Sequence, residues 1–106
     1  MKEYATYFND IESFLISNEP AMFASLEELV TIQSGSHNKA GIDSTSGAIV
    51  RAFHGLDVST ETVEQQLQGN HLVVRSSAQS SSHKQVLLVG HMDTVFPEDT
   101  DFNWYK

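Results

Sequence analysis

The sequence predicts an α/β fold in which N-terminal helices pack on a partly parallel sheet. Three observations carry that prediction. Apolar residues recur at helical spacing through the first half of the chain, strand-like runs follow from residue 71, and one of them, Val86-Leu-Leu-Val89, is apolar without alternation. A continuous apolar run of this kind suits a strand buried on both faces, as in a sheet covered by helices. Helices first and a fully buried strand afterwards indicate a layered α/β architecture.

Each element has its own warrant. Tyr4, Tyr7, Phe8, Ile11, Phe14 and Leu15 follow the i, i+3, i+4, i+7 pattern, with Asn9, Asp10, Glu12 and Ser13 on the other side, so the first segment is a helix. Asn18 and Glu19 interrupt the pattern before Pro20. Proline suits the first turn of a helix, where its missing N–H costs nothing. A second helix is therefore expected from Pro20, with Met22, Phe23, Leu26, Leu29 and Val30 as its apolar stripe. The helical spacing marks all these Met, aromatic and aliphatic positions as core.

Residues 33–41 are turn formers and break the pattern. A third helix is expected over residues 42–54, where Ile42, Ser46, Ile49, Val50 and Phe53 share a face. Asp43 or Ser44 is its expected cap, and Gly55 stands just past its end. Thr60 to Leu67 suits a strand or a helix equally, because Thr62 and Val63 favour one and Glu64, Gln65 and Gln66 the other. Gly69-Asn70 is a turn signal, and His71 to Arg75 reads as a strand. Ser76 to Lys84 is low in complexity, and nine residues between two strand-like runs fit a long hairpin loop better than a domain boundary.

Composition removes several function classes. The 106 residues carry six Lys plus Arg, fourteen Asp plus Glu and no Cys, for a formal charge of −8. That length suits one modest domain. Missing cysteines exclude a disulfide scaffold and any thiolate metal site. The acidic balance argues against nonspecific nucleic-acid binding, which needs clustered Lys and Arg. No apolar stretch approaches the roughly 20 residues needed to span a bilayer. The N-terminus has no signal-peptide core, and cytoplasmic localisation is the resulting expectation.

The chemistry concentrates at Val89-Gly90-His91-Met92-Asp93-Thr94-Val95-Phe96-Pro97. In open α/β sheets, ligands collect beyond the carboxyl ends of strands. In an extended segment His91 and Asp93 point to one side, because the side-chain period is two. A carboxylate accepting one ring N–H fixes the imidazole tautomer and leaves the other nitrogen free for a metal. Gly90 is expected to permit a close backbone approach beside the site. A bare His-x-Asp also arises by chance, and a capping Asp beside a strand-end His is the purely structural alternative.

The longer run LLVGHMDTVFP resembles the first metal-binding segment of the zinc-dependent metallopeptidases of the aminoacylase and glutamate carboxypeptidase family. Leu26-Glu-Glu-Leu-Val-Thr-Ile-Gln-Ser-Gly-Ser-His resembles that family's N-terminal helix and Ser-rich loop. Gly41-Ile-Asp is similar to the start of its next helix, and Asp101-Phe-Asn-Trp-Tyr-Lys to the stretch before its next catalytic segment. The resemblance covers residues 20–106 and is nearest the glutamate carboxypeptidase-like branch.

That resemblance implies a fragment of a three-layer αβα zinc-exopeptidase catalytic domain, with residues 1–106 as its N-terminal part. It implies His91 as ligand to one of two zinc ions and Asp93 as the catalytic partner that holds His91 rather than binding metal. The implied reaction is hydrolysis of a peptide or N-acyl amide bond near a free carboxylate in a small substrate. In it paired metals activate a water and a glutamate serves as general base. Homodimerisation through a separate inserted domain is a further implication. The family's bridging Asp, paired Glu, further acidic ligand and final His have no counterpart in this sequence. One imidazole does not close a zinc site, which normally takes three protein ligands plus water. The chain is thus expected to be inactive by itself.

Other candidates read more plainly. His37, His54, His71 and His83 form no i, i+4 pair and are expected as surface or capping residues. Ser34, Ser36 and Ser80 to Ser82 lack a G-x-S-x-G elbow and are expected as turn and loop residues. Glu98, Asp99 and Asp101 lack the spacing and central Gly of a calcium loop. The alternative from a different class is a metal-free α/β binding or interaction module whose His-x-Asp is structural.

Overall fold

The computed structural model describes residues 2–77, 84–97 and 99. Among them the chain is a small mixed α/β domain of two helices and a two-stranded antiparallel sheet. Helix α1 spans Lys2–Thr31, α2 spans Lys39–Ala52, strand β1 spans Val58–Val63 and β2 spans His71–Ser76.

The expected break before Pro20 is absent, and α1 is one helix with Pro20 inside it. Proline removes one hydrogen-bond donor and crowds the preceding turn, at a cost of about 3 kcal/mol. Continuity keeps the two stripes in one phase, since Ile11, Leu15, Met22, Leu26 and Leu29 fall at helical intervals across the proline. Just before it, Asn18 Nδ2 donates to the Phe14 carbonyl at 2.8 Å, and Ser17 Oγ to the same oxygen at 3.0 Å. The core assignment for this helix is also corrected. Tyr4, Phe8, Phe14 and Ile16 are 63–71 % exposed, because only the last turns of α1 meet α2. The exposed Arg51–Glu28 ion pair marks that junction, and such a pair contributes little by itself.

Asn38, not Asp43 or Ser44, caps α2, with its Oδ1 accepting from Gly41 N at 3.0 Å. The helix therefore begins at Lys39 rather than Ile42. Gly55 lies beyond its end at φ +87°, a left-handed conformation that glycine adopts without a Cβ clash. Ile42, Thr45, Ser46 and Ala48 are the buried residues of α2. The core is centred there.

Asp43 instead ties α2 to the hairpin. Its carboxylate accepts from Asn70 N at 2.7 Å and from Lys39 Nζ at 2.9 Å, while Asn70 Oδ1 accepts from Lys39 Nζ and Gln65 N, both at 2.8 Å. The Asn70 amide, then Lys39, hold the Asp43 carboxyl below its ordinary value against a desolvation that raises it. A carboxyl lowered in the folded state contributes stability above its unfolded value, about 3.9, and loses it as pH falls through the lower folded value. Asp43→Asn is accordingly expected to destabilise the chain at neutral pH and to flatten the acid limb of its stability curve. Thermal melts between about pH 7 and 3 check this, since parallel curves for both proteins would exclude the linkage.

The ambiguous Thr60 to Leu67 region is a strand as far as Val63. The register runs from Val58 opposite Ser76 to Val63 opposite His71. Across it, Arg75 Nη1 donates to Glu61 Oε2 at 2.7 Å. The sheet corrects the partly parallel expectation: its two strands are antiparallel, and among the described residues the one parallel pairing is an isolated bridge between Gly35 and Thr94. The buried strand is corrected too. Val86, Leu87, Leu88 and Val89 are 84–89 % exposed and belong to no named strand. An apolar run favours burial, but burial needs a neighbouring strand and a covering layer. Neither lies against it among the described residues. Most of the Ser-rich loop and of the acidic and aromatic C-terminal stretch lies outside the described residues.

Candidate functional site

The bridge between Gly35 and Thr94 builds the site. Thr94 N donates to Ser34 O at 2.8 Å, Ser36 N donates to Thr94 O at 3.1 Å, and Gln33 Nε2 donates to Phe96 O at 2.9 Å. The Gln33 amide oxygen accepts in turn from Gly35 N and Asn38 Nδ2, at 3.2 and 2.8 Å. The α1–α2 connection and the 93–96 segment are thus bound together through backbone and amide groups. The close approach expected at Gly90 occurs at Gly35 instead. A Cβ there would run into the Phe96 carbonyl, whereas nothing lies near one at Gly90.

On this frame His91 and Asp93 are brought together as their spacing predicts. His91 Nδ1 lies 2.8 Å from the Asp93 backbone oxygen and 3.3 Å from Asp93 Oδ1. A backbone carbonyl oxygen can only accept, and an ionised carboxylate likewise, so Nδ1 carries the proton. In the neutral ring Nε2 is then the lone-pair nitrogen, which is the form a metal ligand requires. The His91 side chain is 82 % exposed and that of Asp93 is 40 % exposed. Two clefts of about 1030 and 320 Å³ both reach His91, Met92 and Asp93, the larger lined also by Ile42, Phe53 and Leu72.

Ser36 is the residue that sequence reasoning placed elsewhere, as a plain loop serine. Its Oγ donates to Asp93 Oδ2 at 2.6 Å and lies 3.2 Å from the Thr94 carbonyl. That hydroxyl is the first cause holding the Asp93 carboxyl below its ordinary value; partial desolvation opposes it, while Asp93's own backbone N–H and His91 add to the lowering. The Ser-Gly-Ser loop marked a turn, but no local pattern announced a partner 57 residues away. Ser34 is 3 % exposed, with its carbonyl in the bridge to Thr94. His37, His54 and His71 are exposed, and His83 lies outside the described residues.

Known proteins offer no further guide. No family model, curated protein or solved structure matches the chain.

The donor set bears directly on the implied zinc. His91 fits a single ligand with its tautomer set by Asp93. Among the described residues no group of three His, Cys, Asp or Glu side chains is placed to hold a metal. The residues present fit one corner of a metal shell, which takes three protein ligands plus water in catalytic zinc sites. No helix among the described residues is long and apolar enough to cross a membrane.

Proposed function

We propose that the chain is the N-terminal part of the catalytic domain of a dizinc metallohydrolase. The larger protein would cleave a peptide or N-acyl amide bond of a small substrate, in the manner of a glutamate carboxypeptidase-like exopeptidase. The observation that carries this reading is the His91–Asp93 pair, whose acceptors leave Nε2 as the free nitrogen. His91 is the proposed metal ligand. Asp93 orients it and stabilises the imidazole in the ligating tautomer. A divalent metal supplies, when bound, polarisation of the scissile carbonyl and a more acidic water. The remaining ligands and the general base come from other parts of the larger protein, as do the strands and helices that cover Val86 to Val89. Cytoplasmic localisation and a homodimer belong to the same proposal.

The test is hydrolysis by the larger protein, assayed on N-acyl amino acids and short peptides with a free C-terminal carboxylate. Turnover is expected with zinc, cobalt or manganese and none after chelation. A larger protein that folds yet hydrolyses none of these with any metal would sink the reading.

One observation favours the metal-free alternative. The Asp93 carboxylate lies closer to Ser36 than to His91, 2.6 against 3.3 Å, which is what a purely structural tie between two loops would show. Under that reading Asp93→Ala loosens the 34–36 and 93–96 segments, and His91→Ala has no consequence.

A further inference from the structure

We infer that Ser36 is a positioning residue for His91, acting through the carboxylate of Asp93. The inference rests on the reading of His91 as a ligand and adds to it the group that aims the ring. Besides its own backbone N–H, the Asp93 carboxylate meets two side chains, one at each oxygen. Ser36 Oγ donates to Oδ2 at 2.6 Å, and His91 Nδ1 lies 3.3 Å from Oδ1. At 40 % exposure the Asp93 carboxylate has water as an alternative partner for either oxygen. The hydroxyl pins Oδ2 and so presents Oδ1 to the ring.

The hydroxyl is itself held. Ser36 N donates to Thr94 O, and Ser36 Oγ lies 3.2 Å from that same carbonyl. Gly35, one residue earlier, sits where a Cβ would strike the Phe96 carbonyl. The serine is therefore anchored by backbone on both sides of the bridge, while His91 is 82 % exposed and has little packing to fix its orientation. Hydrogen bonds, rather than neighbours, orient this imidazole. Without Ser36 the carboxylate loses its shortest hydrogen bond and can turn toward solvent, leaving Nδ1 the Asp93 backbone oxygen.

The readout is the tautomer of His91, followed by long-range ¹H–¹⁵N NMR of the full chain at about pH 8, where an ordinary imidazole is neutral. Wild type is expected to hold the proton mainly on Nδ1. Ser36→Ala is expected to raise the Nε2–H share by about twofold to tenfold, the range that one lost hydrogen bond supplies. Ser36→Thr, which keeps the hydroxyl, is expected to restore the wild-type ratio, and this rescue separates positioning from a general loosening of the loop. An unchanged ratio in Ser36→Ala alongside a shift in Asp93→Ala overturns the role of Ser36 and leaves the His91–Asp93 pair standing. A ratio unchanged in both variants, or a wild-type ring protonated mainly on Nε2, overturns the inference together with the pairing beneath it. Should Ser36→Ala not fold, a folded Ser36→Thr with a shifted ratio overturns it equally.

Discussion

His91→Ala in the proposed metallohydrolase is expected to lower kcat/KM by more than about a hundredfold while leaving the fold intact. Loss of a group that merely supports a metal ligand typically costs 10–100-fold, and loss of the ligand itself costs more. The fold is expected to survive because the side chain is 82 % exposed and its nitrogen bonds within its own segment. Asp93→Asn is expected to fall within the lower range, since the Asp93 backbone oxygen still accepts from Nδ1. Zinc content measured beside activity completes the test: His91→Ala should lose metal and turnover together. Full activity in His91→Ala would remove this residue from the metal shell, and with it the observation on which the functional reading stands.

Gly41→Ala is expected to destabilise the chain by about 1–3 kcal/mol, the usual cost of forcing an extra methyl into filled space. Helix propensity alone predicts the opposite sign, because alanine is favoured over glycine inside a helix by about 1 kcal/mol. The difference lies in what stands beside the residue. A Cβ on Gly41 would run into the Gln33 carbonyl oxygen, with Asn38 Nδ2 at 2.7 Å on the other side. Neither group has room to yield. Asn38 Nδ2 donates to that same carbonyl at 2.9 Å, and Asn38 Oδ1 caps α2 through Gly41 N. Gly47 in the same helix is the internal control. A Cβ there would meet only the tip of Arg51 at an ordinary 3.5 Å, so Gly47→Ala is expected to stabilise by about 0.5–1 kcal/mol. Denaturant melts of the two variants should shift in opposite directions. Stabilisation by both would show that the start of α2 gives way where the structure holds it closed.

Both experiments probe features that the sequence displayed unequally. Strand β2 and the third expected helix follow from local signals: Gly69-Asn70 turns the chain into β2, and Ile42, Ile49 and Phe53 repeat at helical intervals. The hairpin does not: local signals place it across the Ser-rich loop, whereas β2 pairs with β1, a segment whose residues suit a helix as well. The proximity of His91 and Asp93 follows from their spacing. Asn18, Glu19 and Pro20 carry the local signals of a helix start, yet one apolar phase continues through them and α1 runs unbroken. Val86 to Val89 misled for a different reason. A run of Val and Leu reports a preference for burial and says nothing of whether a covering layer is present.

By itself, then, the sequence determined the acidic charge, the absence of thiolates, the helical segments, strand β2 and the pairing of an imidazole with a carboxylate two residues on. All are set by composition or by backbone periodicity over a few residues. Only the tertiary structure decided that Asn38 rather than Asp43 caps α2, that Asp43 reaches Asn70, and that Ser36 grips Asp93. Two of these three bonds, Asp43 to Asn70 and Ser36 to Asp93, join residues 27 and 57 positions apart. Short polar side chains have no periodicity that would reveal such partners. Ser36 meets Asp93 where the backbone bridge between Gly35 and Thr94 holds the two segments together.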